Sequence, residues 1–411
     1  MTWSLKMRRL PLVGIGLMTV ILTCGLQAHA ASGRITLNIR QLDRQRVLAA
    51  ARRYVGQKPV TITQFHHSGG PANPHEYYSQ GDYWWPNPED PGGPYIKRDG
   101  YSNPANFIAD RTALIHFSIH TAALTAAYLI THDTRYAHAA INNMNAWFVD
   151  KRTMMNPNLR FSQAVHGRAK GRSYGIIDTI HLVEVARSAQ LLEQRGILAG
   201  TNRKAINQWF TEYLHWLTTS RMSIQEMNAK NNHGTCWVMQ VAEFASLVGD
   251  KKLLHFCRMR FKTVLLPHQM AANGSFPLEL ARTKPYGYSL FNLDAMCTVC
   301  QILSTPTDNL WTYTTPDGRN MSLALKFMYP YIKDKSKWPY RHDVEYWKDW
   351  PVRSPALLFG GLAYDVPAYI KLWKTLNPNP TVLEILRNLP IRQPVLWVQT
   401  STARPGTLSR K

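Results

Sequence analysis

The chain has 411 residues, of which 45% are hydrophobic and 11% aromatic, including 13 Trp, 19 Tyr and 13 Phe. That content excludes intrinsic disorder, because it supplies the apolar surface that offsets the entropy of ordering a chain. Lys and Arg number 48 against 26 Asp and Glu, a formal net charge of +22 that points to a polyanionic partner: nucleic acid, an anionic membrane face or an acidic polymer.

In chain order, Lys6, Arg8 and Arg9 precede the apolar run Leu10 to Leu26, and Ala28-His29-Ala30 sets small residues before a cleavage point. This pattern predicts a secretory signal peptide over residues 1–30 and a periplasmic or secreted protein. A membrane anchor is the alternative, but the run is short and contains Pro11, Gly14, Gly16 and Gly25, so no stable membrane insertion is expected after cleavage. Removing three cations and no anion takes the net charge from +22 to +19. Export makes nucleic acid a poor partner. The cysteines left after cleavage, Cys236, Cys257, Cys297 and Cys300, are expected as buried thiols or structural disulfides.

Beyond a helical lead-in at 31–60, the apolar period is helical almost everywhere. Leu42 to Val55, Ile108 to Leu129, Tyr136 to Phe148, Ile176 to Leu192, Arg203 to Leu217, Cys236 to Val248, Lys252 to Leu265, Leu290 to Ile302, Leu323 to Ile332 and Pro355 to Leu372 can each turn one apolar face inward. Strand signals are sparse, and no 20–50-residue repeat marks a solenoid. This predicts a single all-α domain over 61–375, with paired helices arranged in a layer or toroid and a C-terminal extension at 376–411.

Two stretches break the helical pattern. Residues 64–106 are too rich in Pro and Gly for a helix, yet carry aromatics that need a core or a ligand, as a lid-like binding loop would. Tyr83, Trp84 and Trp85 are its candidate substrate contacts, with Lys97 and Arg98 as cations to face an anionic ligand. The second stretch is NNHGTCW, Asn231 to Trp237, at an expected helix start, followed some fifty residues on by a segment holding Arg282, Lys284, Tyr286 and Tyr288. One of the two Asn residues fits a helix cap, which leaves His233 unexplained.

Other constellations are weaker. His116 and His120 lie four apart but lack the Glu of HExxH, so no metal or other cofactor is expected. His66, His67 and the cluster Arg168, Lys170 and Arg172 are candidates to line a substrate path, and the Arg168–Arg172 cluster reads equally as a solvated loop. Asp99, Glu279 and Asp294 would be available for two-carboxylate glycoside hydrolysis.

The loop SQGDYWWPNPEDPGGPYIKRDGYSNPANF, AKNNHGTCW and NGSFPLELARTKPYGYSLFNLDA, in that order, resemble the alginate-lyase superfamily of polysaccharide lyases across roughly residues 60 to 370. The resemblance implies an incomplete (α/α) toroid and β-elimination on an acidic polysaccharide. It implies that Asn232, His233 and Arg282 neutralise a uronate carboxylate and that Tyr288 takes the C5 proton, with cations such as Arg282 and Lys284 lowering its pKa. Lys284 and Tyr286 are expected beside the substrate, Tyr286 as the competing phenol. Mannuronate-rich alginate is the first expected substrate; Arg282 and Tyr288 are six apart where the best-known mannuronate lyases have a slightly longer spacing, a departure that keeps polyglucuronate as the second. A non-catalytic polysaccharide-binding protein is the alternative from another class.

Overall fold

A computed structural model describes residues 35–398; the expected signal peptide lies outside the described residues. A helix that is apolar around most of its circumference can only sit between other helices. Ala109–Thr131, Leu182–Glu193, Asn232–Val248, Pro285–Leu303 and Pro355–Ala363 are of this kind, and each packs against the next to form an inner ring. The helices Arg44–Tyr54, Thr134–Phe148, Gly200–Thr219, Lys251–Arg260, Met321–Lys333 and Pro367–Thr375 alternate with them as an outer layer. The result is an incomplete (α/α) toroid. Ala109–Thr131 is long and apolar enough to cross a membrane, yet 78% of its most apolar window is buried inside the protein, as suits a core helix.

Local chemistry sets the boundaries. Asp133, Asp250 and Asn320 each cap a following helix by accepting backbone N–H bonds in its first turn. The expected helix from Pro355 to Leu372 is two helices, because Asp365 takes a left-handed φ of 55° and Pro367 cannot donate to continue the first one. The one expected over Lys252 to Leu265 passes into a π-helical turn, Phe261–Leu265, just before Pro267. Ile176 to Leu192 starts later than expected, since Ser173–Thr179 is a 3-10 helix tied down through Asp178. That buried carboxylate accepts from Tyr77, Ser79 and Gln163 at 3.0, 2.7 and 3.1 Å.

The 64–106 stretch carries two small pairings. Tyr78–Gln80 runs parallel to Phe161–Ala164, and Trp84–Trp85 pairs antiparallel with Ile96–Lys97, so the aromatic segment is a hairpin rooted in the toroid. Asp82 fixes its base through a buried bidentate pair with Arg111. At the other end of the chain, Leu383–Arg387 and the residues after it fold back onto the same body, where Glu184 accepts from the backbone N–H groups of Arg392 and Gln393 and from the Trp397 indole. Cys236, Cys257, Cys297 and Cys300 are all buried free thiols.

Candidate active site

A cleft of about 460 Å³ lies between the hairpin, the starts of two inner helices and the C-terminal segment. Asn232 and His233 open the Asn232–Val248 helix. Neither Asn caps it with its side chain. Instead Glu279, from the Pro277–Leu280 turn, accepts both the backbone N–H and the Nδ2 of Asn232 at 2.7 Å each. The chain passes so tightly here that a Cβ on Gly234 would meet the Ala229 carbonyl oxygen at 2.3 Å, which explains the glycine of the motif. His233 Nδ1 is 2.5 Å from the buried Glu226 carboxylate, which orients the ring and leaves Nε2 for the cleft. Burial pushes the Glu226 and Glu279 pKa values up, against the pull of their hydrogen bonds.

The opposite wall is the turn before Pro285–Leu303 and its first turn. Asp343 caps this helix from afar, accepting from Tyr286 N and Gly287 N at 2.8 Å each, and so sets the position of Tyr288. The Arg282 guanidinium lies 4.5 Å from the Tyr288 ring centroid, with Nη2 3.4 Å from the phenol oxygen. Arg282 also donates twice to Asp99 of the hairpin, at 3.1 and 2.8 Å, and Lys97 and Thr283 converge on the same carboxylate. Although burial opposes it, these partners hold Asp99 well below the usual carboxylate range.

Tyr288 is 8% exposed, and its hydroxyl is 2.8 Å from that of Tyr83, which in turn is 3.3 Å from Glu384 Oε1. Glu384 stays a carboxylate: burial is overcome by Arg387 and Lys284, and its pKa is lowered. A carboxylate only accepts, so Tyr83 donates to Glu384 and Tyr288 donates to Tyr83. The Tyr288 lone pairs are thereby left toward Arg282 and the cleft.

Several expectations need correction. Cations do not lower the Tyr288 pKa overall, because burial raises it by more than Arg282 lowers it, with Glu384 adding to the rise. Lys284 and Tyr286 do not line the cleft. Lys284 is 4% exposed and paired at 3.5 and 3.3 Å with Glu345 and Glu384, while Tyr286 is fully buried and donates to the Tyr331 carbonyl. Of the hairpin residues, Tyr83, Trp84 and Lys97 line the cleft; Trp85 and Arg98 lie outside it, the guanidinium stacked 5.2 Å from the indole. Asp294 also lies away from the cleft, accepting from Ala356 N. His116 and His120 stack in parallel, and His120 also stacks on Tyr54. Sequence reasoning missed Glu226, Asp82, Glu384 and Arg387. The pairs Arg387–Asp82 at 2.9 Å and Arg387–Glu384 at 3.1 Å close the cleft floor.

Known structures share this arrangement of helices. The chain is similar to the crystal structure of an alginate lyase from Bacteroides ovatus, with a TM-score of 0.74 and 30% identity over 87% of this chain and 93% of that one. It shares the fold of alginate lyase A1-III from Sphingomonas species A1, with a TM-score of 0.53 and 14% identity over 86% and 94% of the two chains. The same holds for a histidine-to-alanine variant of A1-III complexed with a tetrasaccharide, at TM-score 0.53 and 13% identity over 89% and 97%. The search of curated proteins finds no match. Toroid and relatives together define the protein as a polysaccharide lyase. The alginate lyase family model matches residues 63–338, and the chain belongs to that family.

Proposed function

We propose that the protein cleaves 1,4-linked uronate polymers by β-elimination, with mannuronate-rich alginate as the first substrate and polyglucuronate as the second, in the periplasm or outside the cell. The observation that carries this reading is the placement of the Tyr288 hydroxyl in one cleft with Asn232, His233 and Arg282. The C5 hydrogen of a uronate is a very weak acid while its carboxylate is ionised. Asn232, His233 and Arg282 offer an amide, an imidazole and a guanidinium to the charge that grows on that carboxylate, and losing one such donor typically costs about 3–4 kcal/mol. Tyr288 takes the C5 proton, the C4–C5 double bond forms, the C4–O bond breaks, and the phenol returns a proton to the leaving oxygen. In mannuronate and glucuronate the C5 hydrogen and the C4 oxygen lie on one side, so a single residue serves both steps.

Incubating the purified protein with poly-mannuronate, poly-guluronate and glucuronan and following ultraviolet absorbance tests the reading. An unsaturated product from either of the first and last polymers is expected; binding without any unsaturated product from all three would sink it.

The pH profile follows from the buried phenol. With the Tyr288 pKa raised, the base form is scarce at neutral pH and grows about tenfold per pH unit, so kcat/KM is expected to climb still between pH 8 and pH 10. A plateau reached by about pH 7.5 would remove the base role from Tyr288.

A further inference from the structure

We propose that Arg172 seats the carboxylate of the uronate next to the reacting one, a substrate contact added to the proposed elimination and resting on that reading. Cations on the cleft wall are Lys97, Arg172, Arg282 and Arg387. Three of them are already committed: Lys97 and Arg282 to Asp99, and Arg387 to Asp82 and Glu384. Among the described residues Arg172 alone of the four has no carboxylate at ion-pair distance. A half-buried cation without a counter-ion is costly to keep unless a ligand supplies the charge.

Its mounting is that of a receptor. The guanidinium carbon lies 5.3 Å from the Trp84 ring centroid and 5.4 Å from that of Tyr174, so aromatic faces hold its plane. Nε donates to the Gln163 carbonyl at 2.8 Å and Nη2 to Gln163 Oε1 at 3.1 Å, which leaves the Nη1 edge for a ligand. Gln163 itself sits in the left-handed region at φ 44°, a conformation unfavourable for its residue type. Ser79 and Asp178 hold it there, accepting from its backbone N–H and its Nε2. On the other side, Gly171 lets the loop approach so closely that a Cβ would meet the Arg160 carbonyl oxygen at 2.0 Å, and Arg172 N bonds to the Ser162 carbonyl. The Tyr174 ring then meets His233 edge-on at 5.0 Å, which sets Arg172 one ring away from the group that faces the reacting carboxylate. That offset assigns it to the neighbouring sugar.

Calorimetric titration of a uronate tetramer and its methyl ester, in a Tyr288→Phe background that halts turnover, tests the assignment. A charge-assisted hydrogen-bonded contact predicts that Arg172→Gln weakens free-acid binding about 10–100-fold and ester binding less than about threefold, with Arg172→Lys in between. Unchanged acid affinity in Arg172→Gln, or equal losses for acid and ester, overturns the proposal. A protein that binds the acid through Arg172 while the unsubstituted chain makes no unsaturated product would overturn the lyase reading and keep only Arg172's contact with a uronate carboxylate.

Discussion

Replacing Tyr288 by phenylalanine is expected to lower kcat by about a thousandfold or more while leaving the fold intact, because the change removes one oxygen and keeps the ring. Proton transfer by a placed side chain is typically worth about 10²–10⁴ in rate, and Tyr288 is proposed to act both as base and as acid. The Arg282 guanidinium keeps its aromatic neighbour at 4.5 Å, so the neutralising wall is undisturbed. Tyr83 still donates to Glu384, which isolates the missing proton carrier from any loss of structure. Steady-state rates alongside a thermal unfolding curve decide the matter; a kcat within tenfold of the unsubstituted protein, with unchanged unfolding, would remove the assignment.

The second large effect is on stability. Arg387 is 8% exposed and ion-paired with both Asp82 and Glu384, themselves 9% and 8% exposed. Removing one partner of a buried ion pair leaves an uncompensated charge and costs about 3–5 kcal/mol, so Arg387→Ala should lower the unfolding free energy by that much at pH 7. The sign of the pH dependence follows from the lowered pKa values of Asp82 and Glu384, in which burial is outweighed chiefly by cations that include Arg387. A carboxylate with a depressed folded pKa adds stability above its unfolded pKa of about 4, and that stability is lost as the pH falls through the folded value. The gap between Arg387→Ala and the unsubstituted protein should therefore shrink on acidification. Denaturant titrations stepped from pH 7 to well below pH 4 read it directly, and a loss below about 1 kcal/mol at pH 7 would show that the network relaxes around the gap.

Much of the toroid was legible because helical periodicity survives in single segments, and the ends that went wrong have backbone causes: Pro267, Pro367 and the left-handed Asp365. The motif residues were legible because Asn232, His233, Arg282 and Tyr288 sit at or just before helix starts, where neighbours in sequence are neighbours in space. The same proximity misled at Lys284 and Tyr286. A helix advances about 100° per residue, so Tyr286 points nearly opposite to Tyr288 and into the core. Burial was the other hidden quantity: sequence names the cation beside Tyr288 but not the loss of solvent that outweighs it. Glu384 left no local signal at all, since its partner Tyr83 is 301 residues away.

That separation has a consequence for how the enzyme comes into being. Synthesis runs from the first residue to the last, so the hairpin and the motif helices are made long before Leu383–Arg387. Until that short helix emerges, Tyr83 lacks its acceptor, Lys284 lacks one of its two counter-ions, and Asp82 lacks one of its two arginines. A chain cut off before Leu383 would therefore carry every motif residue and still lack these three contacts.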